Sequence, residues 1–423
     1  MAERLGGIRR VLVVGTAIVA LIALAGCTSP ATDRYKQVAG SFDDDRAAAL
    51  QGVLEEAVRL SGSSGGIAGV WSPWAGEWTA AVGTESFEEG SAPVTEKTGI
   101  RMATSTAAIT CTIMLRLAEE DKIDPDAPVA ELLRDMPGLH GATPAQLCQN
   151  TSGIADYYGQ LKPQFLGNPQ REWSTLELIS NALAMKRTGT AGHTFSYSRG
   201  GILLLALALE RTTGSSWNSL AERYVFDPLE LEHTRLPAGS EKLGAGSLHG
   251  YSAAFSDKKP VCDQRLDLGA SSSSTGGGAA GAVSTLAELH TMAQAFASGA
   301  LLSEESAEAQ WAAIPMGSKA AGWQDYGLGA AQYGPLRGIA GEVPGALTAV
   351  FADAGSGLTV VVALNNSTSG SALVRETAFA MASIGAKADA AKGRERPFVE
   401  LPWSLEQAQE KMAKFGKCPA AAE

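Results

Sequence analysis

Three consecutive hydroxyl residues, Thr104-Ser105-Thr106, follow the run Gly99-Ile100-Arg101-Met102-Ala103 and lead into a stretch free of Pro and Gly as far as Asp121. Apolar residues recur at Ile109, Ile113 and Leu117, with Met114 and Ala118 one position on, which is the spacing of one helical face. A small-residue turn thus delivers hydroxyls to the start of a buried helix. There they can cap free backbone N–H groups. They can also set an oxygen where a helix N-terminus stabilises developing negative charge, the setting for nucleophilic attack on a carbonyl. Successive helix residues point about 100° apart, so with Thr104 facing a cleft Ser105 faces away.

The elements that would position these hydroxyls are readable along the chain. Asp43-Asp44-Asp45 caps a helix running to about Leu60, and Ser61–Gly66 is a Gly/Ser break. Ile67–Trp71 and Glu77–Val82 read as short strands around the turn Ser72–Gly76, with Trp71, Trp74 and Trp78 packing on a sheet face rather than forming a carbohydrate platform. Leu139–Ile154 is a short helix and turn with Pro144 in the first helical turn, and Arg171–Met185 is a helix. Ile202–Leu209 is an eight-residue apolar run, too short to span a bilayer and therefore a core helix. Ser271–Gly278, all Ser, Thr and Gly, reads as a mobile loop, and a helix starts at about Thr285. Leu347–Phe351 and Leu358–Leu364 are hairpin strands, Ser371–Ile384 is a helix, and the polar extension 386–423 carries one more helix at Ser404–Phe415. His193 and His290 read as solvated or helix-surface residues.

With 423 residues the chain is long enough for a substantial core, and a net charge of −11 argues against a nucleic-acid partner. Five His without H-E-x-x-H or C-x-x-C spacing offer no metal motif, and nothing points to a cofactor. The N-terminus reads as an export signal: Arg4, Arg9 and Arg10 precede the apolar stretch Val11–Ala25. It closes on Leu24-Ala25-Gly26-Cys27, similar to the cleavage box of bacterial lipoproteins. That likeness implies loss of residues 1–26 and lipid attachment at Cys27, leaving 31 basic against 44 acidic residues, a net −13. The mature protein is then expected outside the cytoplasm, lipid-anchored to the cell membrane through a tether over 27–42.

From Ile100 to Val129 the chain resembles the nucleophile helix of the serine β-lactamase and D-alanyl-D-alanine carboxypeptidase superfamily, in its class C-like branch. The resemblance is carried by the gapless tail Leu115–Val129, including Glu119-Glu120-Asp121-Lys122-Ile123-Asp124-Pro125-Asp126-Ala127-Pro128-Val129. Further segments continue it in order: Gln146–Gly153, with Asn150 in place of a common His; Phe195–Arg199; Tyr224–Leu231; Ala279–Leu289; and Tyr326–Gly329. It covers roughly 43–385. It implies an α+β fold of the β-lactamase/transpeptidase type: an antiparallel sheet flanked by helices, with a mainly helical subdomain of about 110–285 inserted. Of Cys111, Cys148, Cys262 and Cys418, which allow three pairings, it favours Cys111–Cys148, since both fall on helices of that subdomain.

The register places Thr104 at the nucleophilic Ser and Ala107 at the Lys, while Tyr197-Ser198-Arg199 and Ile339-Ala340-Gly341 stand for the family's Tyr-x-Asn and Lys/His-x-Gly motifs. Thr adds a methyl group that crowds attack. Ala107 removes the cation that supports proton transfer, and Ile339 removes a polar wall. Tyr197 and Gly341 remain, and Arg199 either holds an anionic ligand group or forms a plain salt bridge. The expectation is a cell-envelope lipoprotein with a serine-hydrolase fold and a silent site. It would bind a cell-wall fragment, a small molecule or another envelope protein, with Arg199 and Gly341 at the ligand. The alternative is a weak or rewired hydrolase of esterase, peptidase or β-lactamase type, using Thr104 with Tyr197.

Overall fold

The computed structural model describes residues 35–420. The export signal and Cys27 lie outside the described residues. Asp43 accepts a hydrogen bond from the Arg46 backbone N–H and starts the helix Asp44–Ser61, which ends at Gly62 in the left-handed region with φ 64°. Strands β1 (Gly65–Ser72) and β2 (Gly76–Gly83) follow as a hairpin. The short β3 (Ile100–Arg101) leads into the helix Thr106–Glu119. A helical region comes next, including Pro144–Cys148, Tyr158–Gly167, Thr175–Ala184 and Arg199–Thr213. Then come the hairpin β4 (Tyr251–Ser256) and β5 (Lys259–Asp267), β6 (Val283–Ser284) paired with β3, and the helix Leu286–Ser298. Strands β7 (Ile314–Pro315), β8 (Gln324–Tyr326), β9 (Ala331–Tyr333), β10 (Leu336–Val343), β11 (Ala346–Asp353) and β12 (Thr359–Leu364) complete the main sheet. The helices Ser371–Gly385 and Leu405–Phe415 close the described chain.

The main sheet has eight antiparallel strands in the order β2-β1-β12-β11-β10-β9-β8-β7. Its two ends come from opposite ends of the chain, and the segment between β2 and β7 adds no strand to it. Both faces are covered. Ile67, Trp71, Val361 and Ala363 point into the core shared with the helical region, whereas Ala68, Val70, Val360, Val362 and Leu364 point to the helices Asp44–Ser61 and Ser371–Gly385. That explains why Val360-Val361-Val362 has no polar alternation: both sides of the strand are interior. Trp71, Trp74 and Trp78 are buried in these layers, and Trp74 donates its indole N–H to the Ala388 carbonyl at 2.9 Å. No described helix is long and apolar enough to cross a membrane.

Four expectations are corrected. Ser271–Gly278 is no mobile loop: it contains a short helical turn at Ser273–Thr275 and is largely buried. Its glycines are what let it pack, since a Cβ on Gly278 would meet the Trp217 indole at 2.8 Å, and the Gly278 carbonyl accepts from Thr110 Oγ1 at 2.6 Å. His290 is no surface residue: its ring stacks on Trp71 at 4.1 Å. Within the tether range 27–42, the described residues 35–42 lie along the β1–β2 hairpin, where Val38 N donates to Pro73 O at 3.0 Å and Phe42 is buried. Finally, the hydroxyls of Thr104 and Ser105 cap nothing: a single 3₁₀ turn at Ala103–Ser105 precedes the helix, and Thr106 Oγ1 donates to the Ala103 carbonyl at 2.8 Å.

The structure bonds Cys111 to Cys148, the pairing the resemblance favoured, and Cys262 to Cys418, with Cα separations of 5.7 and 5.3 Å. The first ties the Thr106–Glu119 helix to the helix Pro144–Cys148. The second ties β5 to the C-terminal extension.

Candidate active site

Thr104 reaches its place through a tight turn. Ala103 has φ 50°, a conformation that costs an L residue free energy, and it swings the chain from β3 into the helix. Thr104 is buried against β10, where a Cβ on Gly341 would stand 1.9 Å from Thr104 Oγ1 and 2.7 Å from Thr104 N. Only glycine lets the strand approach this closely. Ser105 turns away into a small apolar cavity with Ala108, Met292, Phe296, Trp311 and Val350, and its hydroxyl has no partner among the described residues. Ala107 lies in the apolar core.

Tyr197 sits on a loop held by Asn150, itself in the left-handed region with φ 57°. The Asn150 backbone carbonyl accepts from Ser196 N at 2.7 Å and its Oδ1 from Ser198 N at 2.8 Å. Ser198 then caps the next helix by accepting from Gly201 N at 3.0 Å, and donates to the Ala155 carbonyl. Thr104, Tyr197, Arg199 and Ile339-Ala340-Gly341 all line one cleft of about 780 Å³, so the three motif segments meet.

The cleft is rich in phenols, and Arg199, Asp156 and Glu342 in it are all paired. Tyr197 is half-buried, and its hydroxyl is buried with no hydrogen bond of good geometry among the described residues. Burial pushes its pKa up to about 12; Arg199 and the nearby Thr104 hydroxyl pull it down, and Asp156 opposes them. Burial likewise holds Tyr158 and Tyr326 well above the ordinary phenol range. Arg199 is buried, and burial works against its charge, but Asp156, Tyr197, Tyr158 and Glu342 together outweigh that and raise its pKa. Its Nη1 lies 2.5 Å from Asp156 Oδ2, Nη2 donates to the Glu342 carbonyl at 3.1 Å, and the guanidinium stacks over Tyr158 at 4.0 Å. Arg199 thus forms a salt bridge with Asp156. Glu342 in turn pairs with Lys162 at 3.5 Å.

Sequence reasoning missed Asp156, Tyr158, Tyr326 and Glu342 as cleft residues. Asp156 and Tyr158 carry no motif, and only the tertiary fold brings them to the Tyr197 loop. Glu342 follows Gly341 directly and was within reach of the strand motif.

The family description Beta-lactamase matches residues 60–383. A D-stereospecific amidohydrolase from Streptomyces sp. is 25% identical, with a TM-score of 0.67 over 79% of this chain and 98% of that one. A D-amino acid amidase from Ochrobactrum anthropi SV3 is 20% identical, with a TM-score of 0.65 over 76% and 92%. A penicillin-binding protein from Bacillus halodurans is 21% identical, with a TM-score of 0.62 over 75% and 94%.

Proposed function

The chain belongs to the Beta-lactamase family, within the serine β-lactamase/transpeptidase superfamily, and from that premise we propose that it is a silent member whose cleft binds a ligand without turning it over. One observation carries the reading: among the described residues, neither motif position beside the Thr104–Tyr197 pair, Ala107 or Arg199, supplies a free cation. Ala107 fills the lysine position with an apolar methyl, and Arg199 is engaged by Asp156. With a pKa near 12, Tyr197 is a phenol at neutral pH and a poor general base. The names of the amidohydrolase and amidase suggest the ligand class, a peptide or amide built on a D-amino acid, as in a cell-wall fragment. Export and lipid attachment at Cys27 would hold that cleft at the membrane surface.

The test is direct. The purified protein is incubated with fluorescent penicillin and an alkyl fluorophosphonate, then weighed intact and titrated with a peptide ending in D-alanyl-D-alanine. Peptide binding with no adduct is expected. The rewired hydrolase is the second reading, favoured by the closeness of the Tyr197 and Thr104 hydroxyls, and an adduct mapped to Thr104 would establish it in place of the first.

A further inference from the structure

The family match ends at residue 383, yet the chain beyond it returns to the cleft. The helix Leu405–Phe415 starts with a reciprocal Ser404/Gln407 cap and buries Ala408 and Met412. Trp403, just before it, stacks on Phe379 of the helix Ser371–Gly385 at 3.9 Å. After the helix the backbone is pinned three times. Lys417 N donates to Ser369 Oγ at 3.1 Å, Cys418 is bonded to Cys262 of β5, and Ala420 N donates to the Arg59 carbonyl at 2.8 Å. Between these anchors Phe415 and Lys417 line the same cleft as Thr104, Tyr197 and Gly341.

The charges facing that cleft are otherwise accounted for. Arg199 pairs with Asp156, Glu342 with Lys162, and Arg375 with Glu376 at 2.7 Å. Lys417 is exposed at the rim and has no ion-pair partner among the described residues. Tyr158, 5% exposed, also lines the cleft, and its buried hydroxyl has no hydrogen-bond partner among the described residues.

We propose that this C-terminal strap is a subsite of the cleft, in which Phe415 and Lys417 receive the anionic, carboxylate-bearing end of the ligand. The inference rests on the reading that the cleft binds a ligand, and adds where that ligand's charge goes. Phe415 supplies an apolar contact and Lys417 the counter-charge. Because the disulfide and the hydrogen bonds fix the strap in advance, binding does not have to order it.

The experiment uses the full chain with Thr104→Cys, which puts a thiol on the cleft floor. Its alkylation by iodoacetate, an anion, is compared with that by neutral iodoacetamide, read by peptide mapping so that Cys27 does not contribute. The rate ratio cancels changes in thiol reactivity common to both reagents. Adding Lys417→Glu is expected to lower the iodoacetate-to-iodoacetamide ratio about three- to fivefold at low ionic strength, and Lys417→Gln about twofold. Both differences should vanish at high salt. Cys262→Ser with Cys418→Ser should lower the ratio as well and speed both reagents, since the strap is released. Melting temperatures confirm that each variant is folded. A ratio unchanged by Lys417→Glu overturns the proposal. In a parallel arm the D-alanyl-D-alanine peptide should bind the unaltered protein more tightly than its C-terminal amide, and Lys417→Glu should erase the difference. A shifted ratio without peptide binding upholds the strap's anion preference and overturns the D-peptide reading instead.

Discussion

Thr104 keeps a nucleophile's oxygen, while the lysine position beside it is an apolar Ala107 and the nearby phenol, Tyr197, is held protonated by burial. Tyr197, held near pKa 12 by burial, carries about one part in 10⁵ of phenolate at neutral pH. Arg199 cannot repair this, because Asp156 fixes its guanidinium at 2.5 Å. Replacing Thr104→Ser together with Ala107→Lys restores an unhindered hydroxyl and a cation that favours the phenolate. Labelling by fluorescent penicillin is expected to rise by roughly 10²–10⁴-fold over the unaltered chain, the usual scale of general-base help. The pH profile of labelling should also move downward, because the new ammonium lowers the Tyr197 pKa. A double variant as inert as its parent would place the defect elsewhere, with Ile339 the next suspect. At this scale the motif positions were legible, since Thr104, Ala107, Tyr197 and Gly341 sit in short local runs. The Arg199–Asp156 pair was not, because its partners are 43 residues apart and no pattern links them.

Helices and strands were read well where their signals are local. Asp43, Thr143 and Thr285 each cap a helix through their own side chain, as Asp, Thr-Pro and Thr suggest. The failures came where tertiary packing decides. A run of Ser and Gly has no local reason to be fixed, and it is fixed here only because Trp217 and Thr110 close over it. His290 looked solvated on its helix, yet that face of Leu286–Ser298 packs on the sheet and sets the ring on Trp71. Burial lowers the His290 pKa to about 4. In the unfolded chain the same imidazole takes up its proton near the ordinary value of about 6.5, so between those values the unfolded state binds more protons and stability falls as pH falls. The linkage amounts to roughly 2 kcal/mol by pH 5. His290→Phe keeps an aromatic stack without the titration. Its melting temperature relative to the unaltered protein should therefore rise as pH drops from 7 to 5. A constant difference across that range would show that His290 is not protonated on unfolding.

For the molecule as a whole, the sheet draws its strands from both ends of the chain, and the disulfides reinforce that closure. Cys262–Cys418 spans 156 residues, and cross-linking a loop of that length is worth up to roughly 5 kcal/mol by chain-entropy reasoning. Cys262→Ser with Cys418→Ser should therefore lower the melting temperature by several degrees while the Cys111–Cys148 bond persists. An unchanged melting temperature would mean that Trp403 and the helix Leu405–Phe415 secure the tail unaided. The architecture was legible from the order of motifs, whereas the return of the extension to the cleft was not, since residues 386–420 follow no family pattern. The other disulfide has a mechanical consequence. Cys111 belongs to the helix that presents Thr104, and Cys148 stands two residues before the Asn150 post that steadies the Tyr197 loop. Both flanks of the cleft are thus riveted to one covalent brace, which keeps the Thr104 turn and the Tyr197 loop aligned when the surrounding scaffold breathes.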